Sequence, residues 1–442
     1  MKFALASYGT RGDIEPCTAV GRELQRRGHE VRLAVPPNLV GLVESAGLGA
    51  VPYGRDQQDG FWAEDFLREF WKIRDKINLW HEAQDLLAQT WSEMSQALMS
   101  VANGTDLVFS GPGFPAIPAN VAEYYGIPLA TMHYFPMLPN GALHPNLPPA
   151  VVRAVMRALD WQQWRVTKKA EDAQRRDLGL SRATTPAPRR ITASGALEIQ
   201  AYEQLCFPGL AAEWAEWADQ RPFVGTLTAQ LTTESDDQVA AWITAGTPPI
   251  CFGFGSTTVK SPAETVDMIS GACAELGERA LICSGWSDFS DVPTPDHVKV
   301  VGPVNYGTVF PACRAVVHHS GAGTTAAGLR AGVPTLSLWS TGDQRIWATQ
   351  VERLKVGTAR PFSATTRDTL IEDLRKILGP AYVSRASEFA TRMTKPAESI
   401  AKSLWRGANT QRVSLIHARA DTLAHHPHNR PPWISVPRRS RK

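Results

Sequence analysis

The chain has 442 residues, of which 43% are hydrophobic and 20% are charged, so it is too long for one ordinary core and two globular domains are expected. Its formal net charge of +3 argues against a nucleic-acid partner, which would need a concentrated basic face. No stretch approaches the roughly 20 apolar residues of a membrane span, and the N-terminal apolar run is too short for a signal peptide, so a cytoplasmic protein is expected.

The first elements follow the order strand, loop, helix, strand, which predicts a βαβ unit and a parallel, doubly wound sheet. Apolar runs and helical spacing predict a strand at Phe3–Ser7, a tight turn at 9–12, a helix at Pro16–Arg27 and a strand at Val31–Val35. Two later runs, Leu107–Ser110 and Leu129–Met132, are predicted as further strands of this sheet.

Residues Phe61–Val101 show helical spacing and are rich in tryptophan. The four tryptophans are Trp62, Trp71, Trp80 and Trp91. They are either core residues, because aromatic side chains dominate cores, or the lining of an apolar acceptor cleft. The proline-rich stretch Asn140–Ala150 is predicted to be a loop beside that cleft.

A second α/β pattern begins after residues 208–237, which lack periodicity and are interpreted as a linker. They separate an N-terminal domain over residues 1–207 from a C-terminal domain over residues 238–395. Strands are predicted at Pro249–Phe254, Ala280–Ser284, Val298–Val301, Ala315–His318 and Thr335–Leu338, and a helix at Ala263–Leu276. The fold class is therefore α/β, with two Rossmann-like, doubly wound domains.

The C-terminal residues 411–442 are basic, and the stretch from His425 to Lys442 carries no acid. A disordered, solvated tail is expected, and a peripheral electrostatic contact with the inner membrane face is the alternative. The six cysteines form no CxxC pair, so buried free thiols in a reducing compartment are expected. They are Cys17, Cys206, Cys251, Cys273, Cys283 and Cys313.

The strongest chemical signal is the segment 315–328, in which a predicted strand ends at two histidines and a turn of small residues leads into a helix near Thr324. Free N–H groups at a helix start, together with the helix dipole, suit a diphosphate. Gly321 and Gly323 would let the backbone approach the phosphates, and His319 would add a ring N–H. A tight turn that caps a helix without any ligand is the alternative.

Two further carboxylates open helices in chemically useful places. Asp343 lies beside Gln344, and this carboxylate–amide pair is suited to gripping vicinal sugar hydroxyls. Asp13 is predicted to lie before the first helix, at the mouth of the N-terminal sheet. For both aspartates a plain N-cap role is the alternative.

The segment 318–357 resembles the donor-binding signature of the GT-B glycosyltransferase superfamily. It is most similar to the bacterial branch that contains sterol glucosyltransferases, glycopeptide-antibiotic glycosyltransferases and mycobacterial glycopeptidolipid glycosyltransferases. The segments 6–16 and 252–256 match the same branch, in the same order, and the resemblance spans roughly residues 1–407.

This resemblance implies two domains that face a cleft, with a helix at residues 396–410 packing back toward the N-domain. It implies that the donor diphosphate is held by Ser256, His319, Gly321, Ala322, Gly323 and Thr324, and the donor sugar by Asp343 and Gln344. It also implies that Asp13 is the general base, with Gly9, Thr10, Arg11 and Gly12 forming the loop near the reaction centre.

Some residues depart from the pattern of the superfamily. Ser320 replaces a common glycine, and Trp339-Ser340 replace a usual apolar pair. In the base-recognition segment, Pro303 and Tyr306 are atypical. Ala327 stands where plant relatives place a carboxylate on the donor ribose, so the donor nucleotide is left open between UDP and dTDP.

The sequence thus predicts an inverting, metal-independent hexosyltransferase with no cofactor, because no Asp-X-Asp metal anchor is present. Its expected partners are a nucleotide-sugar donor and an apolar acceptor that carries a hydroxyl group, such as a glycolipid, a lipopeptide or a sterol-like molecule. Two alternatives remain open: a sugar-nucleotide epimerase of the same fold, and a catalytically silent donor-binding partner of another transferase.

Overall fold

The structure is a computed structural model that describes residues 1–56, 76–144, 147–229, 231–259 and 261–394, with the backbone alone over 76–82. Trp62, Trp71, the side chain of Trp80, the helix predicted at 396–410 and the basic tail lie outside the described residues. The expectations for them therefore stay predictions.

The N-terminal domain is built on a six-stranded parallel sheet in the order β3-β2-β1-β4-β5-β6. Its strands are β1 (Lys2–Ala6), β2 (Glu30–Val35), β3 (Gly49–Pro52), β4 (Leu107–Ser110), β5 (Leu129–His133) and β6 (Leu197–Gln200). Its helices are α1 (Arg11–Arg26), α2 (Val40–Ser45), α3 (Lys76–Ala102), α4 (Ala116–Tyr125), α5 (Pro149–Asp177) and α6 (Ala187–Ala193).

The C-terminal domain repeats this plan with a second six-stranded parallel sheet, in the order β12-β11-β10-β7-β8-β9. After the short α7 (Leu210–Glu213), its strands are β7 (Ile250–Gly253), β8 (Ala280–Cys283), β9 (Val298–Val301), β10 (Ala315–His318), β11 (Thr335–Trp339) and β12 (Gly357–Pro361). Its helices are α8 (Asp236–Thr244), α9 (Pro262–Leu276), α10 (Tyr306–Val309), α11 (Ala322–Ala331), α12 (Gly342–Arg353), α13 (Arg367–Ile377) and α14 (Pro380–Ala390).

The central strands are buried on both faces, as expected for parallel sheets covered by helices. Along β1, Phe3 and Leu5 pack into one core and Ala4 and Ala6 into the core on the opposite face. All six cysteines are buried free thiols. The predicted pair of doubly wound sheets is therefore confirmed.

The segment 208–237 contributes to a core shared by both domains. Leu210 and Trp214 pack in one apolar cluster with Tyr202 of the N-terminal half and with Trp347 and Val351 of α12. At the edge of the N-terminal sheet, Gln200 forms an isolated parallel bridge with Phe223. The segment 208–237, which connects the two domains, is thus packed against both of them.

Several boundaries differ from the prediction. Helix α1 begins at Arg11 and contains Pro16, so Asp13 lies in its first turn; the prediction that Asp13 precedes the helix was wrong. Thr10 starts the helix earlier because it forms a capping box with Asp13. Helix α11 begins at Ala322, two residues before the predicted start.

Candidate active site

The two domains enclose a cleft of about 1460 Å³ at the carboxyl ends of their parallel strands. Ligands of doubly wound sheets bind at such strand ends. The predicted site residues that line it are Thr10, Arg11, Gly12, Asp13, Ser256, His319, Gly321, Ala322, Gly323, Thr324, Asp343 and Gln344. Residues from the two halves of the chain, of which the nearest in sequence are Asp13 and Ser256, are therefore brought to one cavity.

The start of α11 faces this cleft. Gly321 is its N-cap residue, with extended backbone, and no side chain caps the first turn. Ala322, Gly323 and Thr324 form that turn and line the cleft. Their N–H groups have no acceptor within the helix, and the helix dipole adds a partial positive charge at the same end. The arrangement suits an anionic group such as a diphosphate.

His319 lines the cleft next to Gly321, in a tightly packed setting. A Cβ atom on Gly255, whose φ is +58°, would come within 2.4 Å of the imidazole ring, and a Cβ on Gly321 within 2.5 Å of its Nε2 atom. Nδ1 lies 3.4 Å from the carbonyl oxygen of Gly253. Burial lowers the pKa of His319, although the Gly253 carbonyl and the charge of Asp343 oppose that shift.

At the start of α12, the side chain of Asp343 is exposed to the cleft, whereas the side-chain amide of Gln344 is engaged in hydrogen bonds within the protein. The Oε1 atom of buried Gln344 accepts hydrogen bonds from the N–H groups of Ser340 and Thr341, and its Nε2 atom donates to Thr257 Oγ1. Asp343 is exposed and accepts a hydrogen bond from Thr341 Oγ1. Asp343 is thus placed to meet a ligand, whereas the sugar-binding role of Gln344 stays a prediction.

The sheet order separates two ends of the cleft. The end of β11, which leads to Asp343 at the start of α12, lies on one side of the α11 loop, and the ends of β8 and β9 lie on the other. On the β8–β9 side the wall includes Trp286, Pro303 and Tyr306. Tyr306 stacks on Phe310 with a centroid separation of 4.3 Å. This end offers flat, mostly apolar surfaces.

Asp13 projects from the N-terminal wall and is anchored through one carboxylate oxygen. Its Oδ2 atom accepts hydrogen bonds from the Thr10 N–H at 2.8 Å and from Thr10 Oγ1 at 3.2 Å. Its main-chain carbonyl accepts from Tyr134 Oη at 2.6 Å and from Ser7 Oγ at 3.0 Å. Within the described residues, Oδ1 has no hydrogen-bond partner. Asp13 therefore caps α1 and also retains a free oxygen for chemistry.

Gly9 does not line the cleft but makes the carboxylate position accessible. Its φ is +145°, and a Cβ atom there would lie 2.3 Å from Asp13 Oδ2. A side chain at this position would therefore displace the anchored carboxylate.

Burial raises the pKa of Asp13 from 3.8 to about 6. The two Thr10 hydrogen bonds oppose the shift, and the negative charge of Asp343 from the other domain adds to it. A carboxyl group with this pKa is ionised at neutral pH yet more basic than an ordinary aspartate. These are the properties of a general base.

Other residues of the cleft were not singled out as site residues by the sequence. Trp286, Arg330 and Phe362 line it, and Arg330 donates a hydrogen bond to the Thr226 carbonyl at 3.0 Å. Trp339, noted as a departure, also lines the cleft, beneath the guanidinium of Arg345. No local pattern identifies such residues, because only the tertiary fold brings them to the cleft.

The cleft-lining interpretation does not hold for Trp91. This residue is buried in the N-terminal core, and its Nε1 atom donates to Gln174 Oε1 at 2.9 Å. The core interpretation is therefore the right one for Trp91.

The parts of the chain that the structure describes contain no cluster of three or more His, Cys, Asp or Glu side chains arranged to hold a metal ion. In the same parts, no helix combines the length and the apolar character needed to cross a membrane.

Comparisons with known proteins agree with this architecture. Residues 3–142 match the glycosyltransferase family 28 N-terminal domain, and residues 282–404 match the erythromycin biosynthesis protein CIII-like C-terminal domain. An uncharacterized glycosyltransferase of Mycobacterium tuberculosis is 60% identical over 403 residues, covering 90% of this chain and 96% of the relative.

More distant proteins share the fold. A sterol 3-beta-glucosyltransferase of Arabidopsis thaliana is 27% identical over 409 residues, covering 88% of this chain and 65% of that protein. The crystal structure of the glycosyltransferase VinC in complex with dTDP has a TM-score of 0.64 at 18% identity, over 93% of this chain and 100% of VinC.

Proposed function

Because this chain belongs to the glycosyltransferases of the GT-B fold, we propose that it is an inverting hexosyltransferase. It transfers a hexose or deoxyhexose from a UDP- or dTDP-sugar to a hydroxyl group of an apolar acceptor. The observation that carries the proposal is the placement of Asp13, with its free Oδ1, in the same cleft as the α11 N-terminus and Asp343.

The donor is proposed to lie along the ends of the C-terminal sheet. Its diphosphate would accept hydrogen bonds from the first N–H groups of α11 and from His319, and its sugar would contact Asp343. The opposite end, with Trp286 and Pro303, offers flat surfaces for the nucleobase. The related structure of VinC holds dTDP, which favours a nucleoside diphosphate in this cleft.

The proposed reaction is a single displacement. Asp13 Oδ1 accepts the proton of the acceptor hydroxyl as the acceptor oxygen forms a bond to the anomeric carbon. The bond from that carbon to the diphosphate oxygen breaks on the opposite face, so the configuration inverts. The helix N-terminus and His319 supply a positive potential that stabilises the negative charge of the leaving diphosphate, without a metal or cofactor.

The acceptor is proposed to rest on the N-terminal domain, because its hydroxyl must reach Asp13. Pro16, Tyr134 and Phe135 line the cleft beside that carboxylate and offer apolar surface. The similarity to a sterol glucosyltransferase favours a hydrophobic alcohol as acceptor. A cytoplasmic location is proposed, because six buried free thiols suit a reducing compartment.

The test is incubation of the purified chain with UDP- and dTDP-sugars, with and without a lipid extract, followed by mass spectrometry and measurement of nucleoside diphosphate. A new glycoside and acceptor-dependent release of nucleoside diphosphate are expected from the wild type, and neither from Asp13→Asn. Conversion of one nucleotide sugar into another without release would identify an epimerase. Donor binding without any turnover across the panel would identify a silent partner.

A further inference from the structure

The turn between β10 and α11 contains an unusual backbone conformation. Ser320 has a φ of +66°, and in the described part of the chain Phe114 and Lys355 are the other non-glycine residues with a positive φ. A residue with a Cβ atom reaches this left-handed region at a cost in free energy, whereas glycine reaches it freely. The turn ends at Gly321, the N-cap residue of α11. Neighbouring contacts must therefore stabilise the conformation of Ser320.

His318, the last residue of β10, supplies such a contact. Its Nδ1 atom accepts a hydrogen bond from the Ser320 N–H at 2.9 Å. The His319 N–H donates instead to the Gly253 carbonyl oxygen at 3.3 Å. Both N–H groups that precede Gly321 are therefore bound within the protein, which leaves a ligand to the N–H groups at the start of α11.

The ring of His318 is held beneath the start of α11. β10 lies between β7 and β11, and His318 pairs with Gly253 on one side and with Ser337 on the other. Because side chains alternate along a strand, His318 points to the same face as Val316, which packs beneath α11. Only 1% of His318 is exposed. A ring buried in a central strand cannot turn toward solvent, so Nδ1 stays directed at the Ser320 N–H.

The protonation state of His318 suits this contact. Burial lowers its pKa to about 3, and the neighbouring His319 adds to the shift, so the ring is neutral at neutral pH. Because Nδ1 accepts a hydrogen bond, the ring proton is on Nε2. Nε2 and the Ser320 Oγ atom are both buried without a hydrogen-bond partner among the described residues. Unpaired buried polar groups lower stability, so the stability of the core does not account for a histidine here.

We propose that His318 is the positioning residue of the phosphate turn, a name we give to residues 319–321. By accepting the Ser320 N–H, it holds Ser320 in the left-handed conformation and fixes the direction in which the chain enters α11. The His319 ring and the first N–H groups of α11 then meet the same ligand. His318 itself does not line the cleft, so it acts through Ser320 and Gly321. This role depends on the proposed function, because the ligand of the turn is taken to be a nucleoside diphosphate.

The size of the effect follows from the conformational equilibrium of the phosphate turn. The apparent affinity of a ligand falls in proportion to the fraction of the protein that has the binding-competent conformation. Loss of one ordinary hydrogen bond changes such an equilibrium by roughly threefold to tenfold. The dissociation constants of UDP and dTDP should both rise by that factor when His318 loses its acceptor atom, because the two ligands share the diphosphate.

The experiment is calorimetric titration of the full chain with UDP and with dTDP, in the absence of acceptor. His318→Leu keeps an apolar side chain in the core but removes the acceptor atom, so its affinity should fall by roughly threefold to tenfold. His318→Asn should lose less, because its Oδ1 atom can accept the same N–H. The matched control is His133→Leu, which should bind like the wild type. His133 ends β5 and also has a buried ring nitrogen without a partner among the residues that the structure describes.

A second substitution separates positioning from packing. Ser320→Gly removes the Cβ atom that makes a φ of +66° costly, so alone it should bind within about twofold of the wild type. Combined with His318→Leu, it should recover most of the lost affinity, because glycine adopts this conformation without the histidine. A packing defect at His318 would not be repaired in this way, since Ser320→Gly adds no atom to the core.

Thermal unfolding verifies that each variant is folded. If His318→Leu does not fold, His318→Gln gives the same test. Its amide extends toward the position of Nε2, away from that of Nδ1, so the same loss of affinity is expected.

Three results would overturn the positioning role. They are wild-type affinity in the folded His318 variant, an equal loss in His133→Leu, and a double variant that binds as weakly as His318→Leu alone. In each case the wild type still binds nucleotide, so the proposed function survives. If the wild type binds neither UDP nor dTDP, the proposed function and the positioning role fail together.

Discussion

Replacement of Asp13 by Asn tests the proposed general base, and the structure indicates how large the loss of activity should be and how activity should depend on pH. The amide retains the shape but cannot take the acceptor proton, so the turnover is expected to fall by about 10²–10⁴-fold. Donor affinity is expected to change little, because the α11 N-terminus and His319 belong to the other domain. Because the pKa of Asp13 is about 6, wild-type kcat/KM should be constant above that pH and fall about tenfold per pH unit below it.

Two neighbouring substitutions should move this midpoint in opposite directions. Asp343→Asn removes a negative charge that raises the pKa of Asp13, so the midpoint should shift to lower pH, together with a higher KM for the donor. Thr10→Val removes the hydroxyl that lowers the pKa, so the midpoint should shift to higher pH. Thr10→Ser keeps a hydroxyl and is the control. Initial rates at acceptor concentrations well below KM give kcat/KM over a pH series and provide the measurement.

The raised pKa of Asp13 also predicts that the ionised form, which the proposed reaction needs, lowers the stability of the fold. The pKa of Asp13 is raised on folding, so the free energy of unfolding should decrease as pH rises from about 4 to about 6 and stay lower above that. At pH 7 the ionised carboxylate costs at most about 3 kcal/mol. Asp13→Asn should therefore unfold at a higher temperature than the wild type at pH 7. A destabilised variant with wild-type turnover would refute both the pKa argument and the base assignment.

Three further predictions concern the donor side. Binding of UDP or dTDP should be accompanied by proton uptake, because burial lowers the pKa of His319 and the diphosphate would raise it again. Calorimetry in buffers of different ionisation enthalpy measures the uptake, which should vanish in His319→Ala. Gly321→Ala should weaken nucleotide binding, because the new Cβ would displace the His319 ring. At Gly323 a Cβ meets no protein atom within 4 Å, so Gly323→Ala should weaken nucleotide binding only if a phosphate lies against that residue. Activity should survive a chelator of divalent ions, and recovery that requires one added metal would contradict this.

The central strands were predictable because they are continuous apolar runs, but several edge elements were not. β12 has the sequence GTARP and is only half-buried at its end. In β6, Glu198 and Gln200 are buried, which no apolar pattern reports. Glu198 is compensated by Arg221, whose Nε atom lies 2.8 Å from the carboxylate, and that partner is 23 residues away in the chain. Such strands depend on tertiary pairing.

At the candidate site, too, the sequence predicted the residues that belong to local motifs and missed the features that depend on tertiary contacts. Local motifs singled out Asp13, His319 and Asp343, all of which line the cleft, because each lies at a strand end or helix start whose chemistry is visible in neighbouring residues. The sequence did not show that the amide of Gln344 is occupied by Ser340, Thr341 and Thr257. It also could not separate core from cleft tryptophans, and it did not predict the long α5.

Helix N-termini that meet at the cleft set the electrostatic conditions for Asp13 to act as the proposed base. α1, α11 and α12 all begin at the cleft, so the partial positive charges of three helix N-termini converge on one cavity. That field favours a diphosphate, and the Thr10 N–H at the start of α1 also stabilises the ionised form of Asp13. Burial and Asp343 act in the other direction. The balance leaves Asp13 ionised at neutral pH but more basic than a solvated aspartate. The charge of Asp343 couples that balance to the opposite domain, where the donor sugar is proposed to bind.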